Sequence, residues 1–260
     1  MLFSKNGVMM DNDERLLQED PHYPQQAVYT SVRTYHGKPF CLDQHLNRLQ
    51  DSASRMGFEI PHSIEMIRIW VLDLIQISTF SPHFLRITAT PENIFILSRP
   101  LDIDPRVYEG VRVTLEPVVR KDVKIKAVDT PDTIEAYEQA QDEGFYEALL
   151  LNEDQEMITE GSRSNILWIK EGTLYWCNQA LSGITQAAVL GLAEKLKIPT
   201  QQASLPVEDL EHLEEFFLTQ TSRGIVPIIS VDGLRIGDGK VGPQTRKLMH
   251  AFQELTAHTS

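Results

Sequence analysis

The sequence predicts a two-domain chain of α+β / α/β class. Three observations carry this. The first hundred residues read as strand, helix, helix, strand, strand. The remainder alternates short apolar strands with amphipathic helices. Between them lies LDIDPRVYEG (101–110), polar and punctuated by Pro and Gly, the composition of a link. The expected division is a smaller N-terminal α+β domain over residues 1–104 and a larger C-terminal domain over 105–260, joined near 102–110. A chain of 260 residues, 42% hydrophobic and 23% charged, has the material for two cores.

The elements follow in order. Residues 11–24 (DNDERLLQEDPHYP) are polar and read as loop. QAVYTSVRTY (26–35) is rich in Val, Tyr and Thr and reads as a strand, with HGKPF as a turn. A helix is expected over residues 43–57. Asp43 can cap it, Leu46, Leu49, Ala53 and Met56 form one stripe, and Gly57 stops it. A second helix runs over about 63–76. FLRITAT and NIFILSRPL are strands joined by a turn at Pro91 and Glu92. Beyond the link, VRVTLEPVV is a strand and TIEAYEQAQDEG a helix ending at Gly144. EALLLN, NILWIK and TLYWCN are strands, TQAAVLGLAEKL a helix, and EEFFLTQ and IVPIISVDG strands. The last helix covers about 243–255.

Composition bounds function. The net charge of −13 disfavours nucleic acid and anionic membranes as partners, because both need cationic neutralisation. A local basic pocket can still hold one phosphate. Cys41 and Cys177 make neither a disulfide framework nor a metal spacing and are expected as buried, reduced thiols; no metal is expected. No apolar run approaches the ~20 residues of a membrane span. The N-terminal residues lack a signal-peptide core, and the expected location is cytoplasmic.

Five places carry possible chemistry. Lys126 sits in RKDVKIKAVDTPD, between a strand and a helix; an amine there can form a Schiff base. Glu160, in ITEGSRSNI, offers a carboxylate ahead of a strand. Gly183, Ile184 and Thr185 precede a helix, so their N–H groups and the helix dipole favour an anion. Thr221 and Ser222, in TQTSRG, offer hydroxyl and N–H donors at a strand end. Arg48 lies off the Leu46–Leu49 stripe, and its donor fork suits a phosphate.

Taken together, HLNRL (45–49), IKAVD (125–129), GFYEALL (144–150), TEGSRSNI (159–166), LSGIT (181–185) and DGKVGP (238–243) resemble, in that order, the class IV aminotransferases of pyridoxal phosphate (PLP) fold type IV. That group holds branched-chain and D-amino-acid aminotransferases and aminodeoxychorismate lyases. The likeness runs from about residue 26 to 255. It implies PLP as cofactor, bound by Lys126 as a Schiff base. Glu160 matches the carboxylate at the ring nitrogen. Arg48, Ile184, Thr185, Thr221 and Ser222 match phosphate-binding positions. Tyr29 falls where D-amino-acid enzymes place an active-site tyrosine, and Arg86 where branched-chain enzymes carry an arginine; both are expected at the substrate. The implied activity is transfer of the amino group of a small α-amino acid to a 2-oxo acid, with Lys126 moving the Cα proton. The implied assembly is a homodimer, the active site lying near the domain boundary. The alternative is a 4-amino-4-deoxychorismate lyase releasing pyruvate, since VYTSVRTY resembles the lyase strand as closely as the aminotransferase one.

The departures fall around the pocket. The loop after the second long strand is TPEN, without the family's Arg-Gly stretch. Pro131 stands where branched-chain enzymes carry a tyrosine. Gln186 replaces the arginine after Gly-Ile-Thr, and residues 224–227 read Gly-Ile-Val-Pro. Cofactor anchors match better than substrate contacts.

Overall fold

The computed structural model describes residues 1–10, 15–177 and 179–257, so parts of the expected loop at 11–24, the end of the expected strand at 178 and the last three residues lie outside the described residues. The chain separates into two units. One comprises residues 1–102, 124–129 and 256–260, the other 103–123 and 130–255.

The first unit contains β1 (Leu2–Lys5), β2 (Val8–Met10), α1 (Arg15–Gln18), β3 (Val28–Tyr35), β4 (Lys38–Pro39), α2 (Leu42–Met56), α3 (Ile64–Ile77), β5 (His83–Ala89) and β6 (Ile94–Pro100). The strands form one antiparallel sheet in the order β2-β1-β6-β5-β3-β4. Side chains alternate across a strand. In β3, Val28, Thr30, Val32 and Thr34 are buried, while Tyr29, Ser31, Arg33 and Tyr35 are half-buried on the other face. Val28 and Val32 meet Leu42, Leu46, Leu49 and Ala53 of α2 and Ile67, Val71 and Leu74 of α3 in one core. The 42-46-49-53 spacing puts that α2 stripe on a single face.

Three local readings change. Residues 15–18, within the stretch read as loop, form the short helix α1. Asp43 does not cap α2. The cap position is Cys41, in the left-handed region (φ 52°, ψ 40°) with no side-chain cap bond, and it is half-buried rather than buried. Asp43 instead accepts from Arg68 of α3. The β1–β2 hairpin has no counterpart among the expected elements, although its signal was present: Asn6-Gly7 takes positive φ at both residues, as a tight hairpin turn requires.

The second unit holds β7 (Val111–Glu116), α4 (Pro131–Asp142), β8 (Ala148–Leu151), β9 (Met157–Gly161), β10 (Asn165–Lys170), β11 (Thr173–Trp176), α5 (Ile184–Lys195), β12 (Thr200–Gln202), β13 (Leu205–Pro206), β14 (Glu215–Gln220), β15 (Gly224–Val231), β16 (Leu234–Arg235) and all but the last two residues of α6 (Pro243–Ala257). Its sheet runs β12-β11-β10-β14-β15-β7-β8-β9-β13, with β16 on β15. One face packs Val113, Leu149, Ile158, Ile166, Phe216 and Val226. The other seats α4 through Ala136 and Ala140 against Ala148 and Leu150, where small residues let the helix approach closely. Glu160 lies inside strand β9 rather than in a loop ahead of β10.

β7 and β8 are parallel neighbours, so the chain between them must make a crossover. Lys126 lies in that crossover. The sequence places it in the second domain, but residues 124–129 group with the first unit. The reason is backbone pairing. The Tyr29 N–H donates to the Lys126 carbonyl (2.9 Å) and the Val128 N–H to the Ala27 carbonyl (2.9 Å), so the segment adds to the start of β3.

Candidate active site

In the first unit, β3, α2 and the added segment bring Lys126, Tyr29 and Arg48 into one neighbourhood. The Lys126 N–H donates to Ser52 Oγ of α2 at 3.2 Å, which fixes the backbone that carries the amine. Lys126 Nζ lies 4.7 Å from the centroid of the Tyr29 ring, and Arg86 Cζ lies 4.1 Å from the same ring. Such distances give attractive contact between a cation and an aromatic face. Arg86 pairs in register with Ser31, which puts it on the Tyr29 face of the sheet.

Arg48 turns toward the sheet. Its Nη2 donates to Thr30 Oγ1 at 3.0 Å, and Thr30 Oγ1 lies 2.9 Å from His45 Nδ1. Arginine can only donate, so the Thr30 hydroxyl proton is available to His45 Nδ1. Burial, with the Arg48 and Lys126 cations adding, holds the His45 imidazole well below its ordinary pKa, hence neutral and able to accept. The threonine and histidine thereby set the direction of the Arg48 fork.

In the second unit, Glu160 is 2% exposed and held on both oxygens. Arg120 Nη1 donates to Oε1 at 3.3 Å and the Leu181 N–H to Oε2 at 3.2 Å. The Leu181 carbonyl in turn accepts from Asn165 Nδ2 at 2.6 Å. The strand carrying Glu160 and the segment leading into α5 are therefore tied together. At the start of α5 the cap is Gly183, with no side-chain cap bond. A Cβ there would come within 1.9 Å of Asn165 Oδ1, so any larger residue would displace the Asn165 amide that holds the Leu181 carbonyl. Ile184 is half-buried and Thr185 buried in the first turn. Thr221 and Ser222 form the turn between β14 and β15, with the Ser222 hydroxyl donating to Gln220 Oε1 at 3.0 Å.

The donor set fits a phosphorylated pyridine. The first turn of α5 lacks a side-chain cap, and the buried Gln186 Nε2 in that turn has no hydrogen-bond partner among the described residues. Buried donors of this kind are costly unless met by a ligand or water. A carboxylate and its arginine supply the opposite polarity at Glu160. The sequence reading singled out neither Arg120 nor His45 as a partner of these residues. His45 lies within HLNRL, and its spacing of three from Arg48 on a helix was the available signal. Arg120 had none, because it meets Glu160 only through the fold.

Residues 27–231 match the family described as amino-transferase class IV. A D-alanine aminotransferase of Listeria monocytogenes serotype 4b (strain F2365) is 32% identical over 88% of this chain and 86% of its own length. One of Staphylococcus haemolyticus is 28% identical over 96% and 95%. Among solved structures, a putative branched-chain amino acid aminotransferase from Thermotoga maritima superposes with a TM-score of 0.88 at 27% identity, over 99% of this chain and 96% of that one. The T.th. branched-chain amino acid aminotransferase with pyridoxamine 5'-phosphate, at 23% identity, has the same fold, with a TM-score of 0.89 over 100% and 95%.

Proposed function

The chain belongs to the class IV aminotransferases, and from that membership we propose that it transfers the amino group of a small α-amino acid to a 2-oxo acid through PLP held at Lys126. PLP, when bound, supplies a ring that takes up the electrons released at the substrate's Cα. The chain's residues supply the rest. The Lys126 amine would hold the cofactor and would move the proton at the substrate's Cα. The Glu160 carboxylate, kept oriented by Arg120 and the Leu181 N–H, holds a proton at the ring nitrogen. Arg48, the N–H groups of Ile184 and Thr185, and the Thr221–Ser222 turn bind the phosphate. Tyr29 and Arg86 orient the substrate, with Arg86 providing a cation for a carboxylate.

The observation that carries this reading is the placement of Lys126 against the Tyr29 ring of β3 and Ser52 of α2, the helix that also carries Arg48, taken with a buried Glu160 tied to the start of α5. The curated relatives are named transaminases, so the lyase alternative is set aside. D-alanine is the first donor to test, because it is in those relatives' names. Adding PLP to the purified protein and then removing unbound cofactor leaves the visible band of a lysine Schiff base, which Lys126→Ala lacks. Adding D-alanine without an oxo acid bleaches that band and releases pyruvate. A wild-type protein with no visible band after PLP addition defeats the cofactor assignment. A band that neither D-alanine nor L-leucine bleaches defeats the transaminase assignment. The same reading makes the protein a cytoplasmic homodimer, and sedimentation should give twice the 29.6 kDa chain mass. Among the described residues, no helix is long and apolar enough to cross a membrane.

A further inference from the structure

Glu147 is a buried carboxylate that the reaction does not use. It stands one residue before β8 and is 1% exposed. Two donors converge on one of its oxygens: the Arg163 N–H at 2.5 Å and the Ser164 hydroxyl at 2.9 Å reach Oε1. Those two donors sit in the turn between β9 and β10. That turn is closed by the Gly161 N–H on the Ser164 carbonyl (2.9 Å) and tied to β8 by the Ser162 N–H on the Ala148 carbonyl (2.9 Å). A Cβ at Gly161 would lie 2.6 Å from Glu147 Oε1 and 2.2 Å from Ser164 Oγ, so the glycine leaves room for the carboxylate.

The turn has Glu160 immediately before it and Asn165 immediately after it. Glu160 takes the Leu181 N–H, and Asn165 takes the Leu181 carbonyl. We propose that Glu147 is a positioning residue for the cofactor site: by gripping the turn at Arg163 and Ser164 it sets Glu160 and Asn165, and through them the Leu181–Gly183 approach to α5. The proposal rests on the reading of Glu160 and α5 as cofactor contacts. Its physical basis is that a buried carboxylate oxygen accepting two donors holds a turn more firmly than the turn's own backbone pair, and that losing it strands both donors.

The acceptor is one oxygen, so glutamine can replace it. Glu147→Gln keeps Oε1 and removes the charge. Glu147→Leu removes the acceptor and approximates the volume. Ser164→Ala removes one donor and leaves the carboxylate, and serves where the leucine variant does not fold. Two quantities are read. The first is amide hydrogen exchange of residues 161–165 and 181–183 in the apoprotein. The second is the PLP dissociation constant, measured well below the melting temperature so that only folded protein contributes. Glu147→Leu is expected to accelerate exchange in both segments and weaken PLP binding by ~10-fold or more, Ser164→Ala to do so to a smaller degree, and Glu147→Gln to stay near wild type. A residue that merely stabilises the fold would lower the melting temperature of Glu147→Leu and leave exchange at 181–183 and PLP affinity unchanged, which overturns the proposal. Equal losses in Glu147→Gln and Glu147→Leu overturn it as well. The exchange arm needs no cofactor. It can therefore fail while PLP binding stands, and it remains readable if PLP does not bind.

Discussion

Burial changes what a carboxyl group contributes, and Glu147 shows how. Desolvation pushes its pKa up from 4.5 to about 7, against the lowering effect of the Arg163 N–H and the Ser164 hydroxyl. The folded state thus holds the proton more tightly than the unfolded chain does. Stability from this group is fully present below the unfolded value near 4.5. It declines as pH rises and is lost above about 7, a change of about 3 kcal/mol. Urea midpoints of wild type and Glu147→Gln at pH 5 and pH 8 check this: the wild type should lose more stability across that interval, and parallel curves would remove the argument. At Glu160 the stake is chemical. Glu160→Gln should still load PLP but lose on the order of 10²–10³ in kcat, because a neutral amide cannot hold the ring proton. An unchanged kcat would refute the role. Glu160 was legible because TEGSRSNI is a contiguous block. Arg120, forty residues upstream in PVVRKD, was not, since its guanidinium reaches Oε1 only once β7, β8 and β9 are paired.

At the scale of elements, periodicity located the long helices α2 to α6 but neither the short α1 nor the groups that cap them. The last helix was expected over residues 243–255, and α6 covers Pro243–Ala257. Its cap comes from elsewhere: the Gln244 N–H donates to Glu215 Oε1 at 2.9 Å and the Thr245 N–H to Glu215 Oε2 at 2.6 Å. Glu215 opens β14, 28 residues before the helix begins, so no local pattern could announce it. A carboxylate at a helix N-terminus satisfies two stranded donors and meets the positive end of the dipole. Glu215→Ala should therefore cost about 1–3 kcal/mol, and Glu215→Gln, which keeps one acceptor oxygen, about half as much. Equilibrium urea unfolding reads both, and a glutamine variant as unstable as the alanine one would contradict this cap. The same lesson holds at α2. Its apolar stripe was read correctly and Leu49→Ala should cost about 2–5 kcal/mol by leaving a cavity in a fully buried position. Its expected cap, Asp43, was drawn away by Arg68 of α3, a partner that sequence spacing does not reveal.

For the whole molecule, chain order and spatial grouping part company at one segment. Residues 124–129 follow the link in sequence and pair with β3 in space, which moves Lys126 into the unit that also holds Arg48, Tyr29 and Arg86. The sequence made that lysine visible through IKAVD, but a backbone bridge from Val28 to Ala127 carries no sequence signature. With Lys126 as the proposed PLP anchor, the molecule's stability is expected to depend on its cofactor. A ligand that binds only the folded chain raises its stability by RT ln(1 + [L]/Kd), about 2.7 kcal/mol at a hundredfold excess over Kd. The urea midpoint of the wild-type protein should therefore climb with the logarithm of PLP concentration. Lys126→Ala keeps the phosphate and ring contacts but loses the covalent attachment. Its midpoint should begin to rise only at higher PLP concentration and then climb with the same slope. The horizontal offset between the two curves measures what the Schiff base adds to affinity. Two superimposed curves would mean that PLP binds without the lysine, and a wild-type midpoint indifferent to PLP would mean that the folded chain does not take up the cofactor.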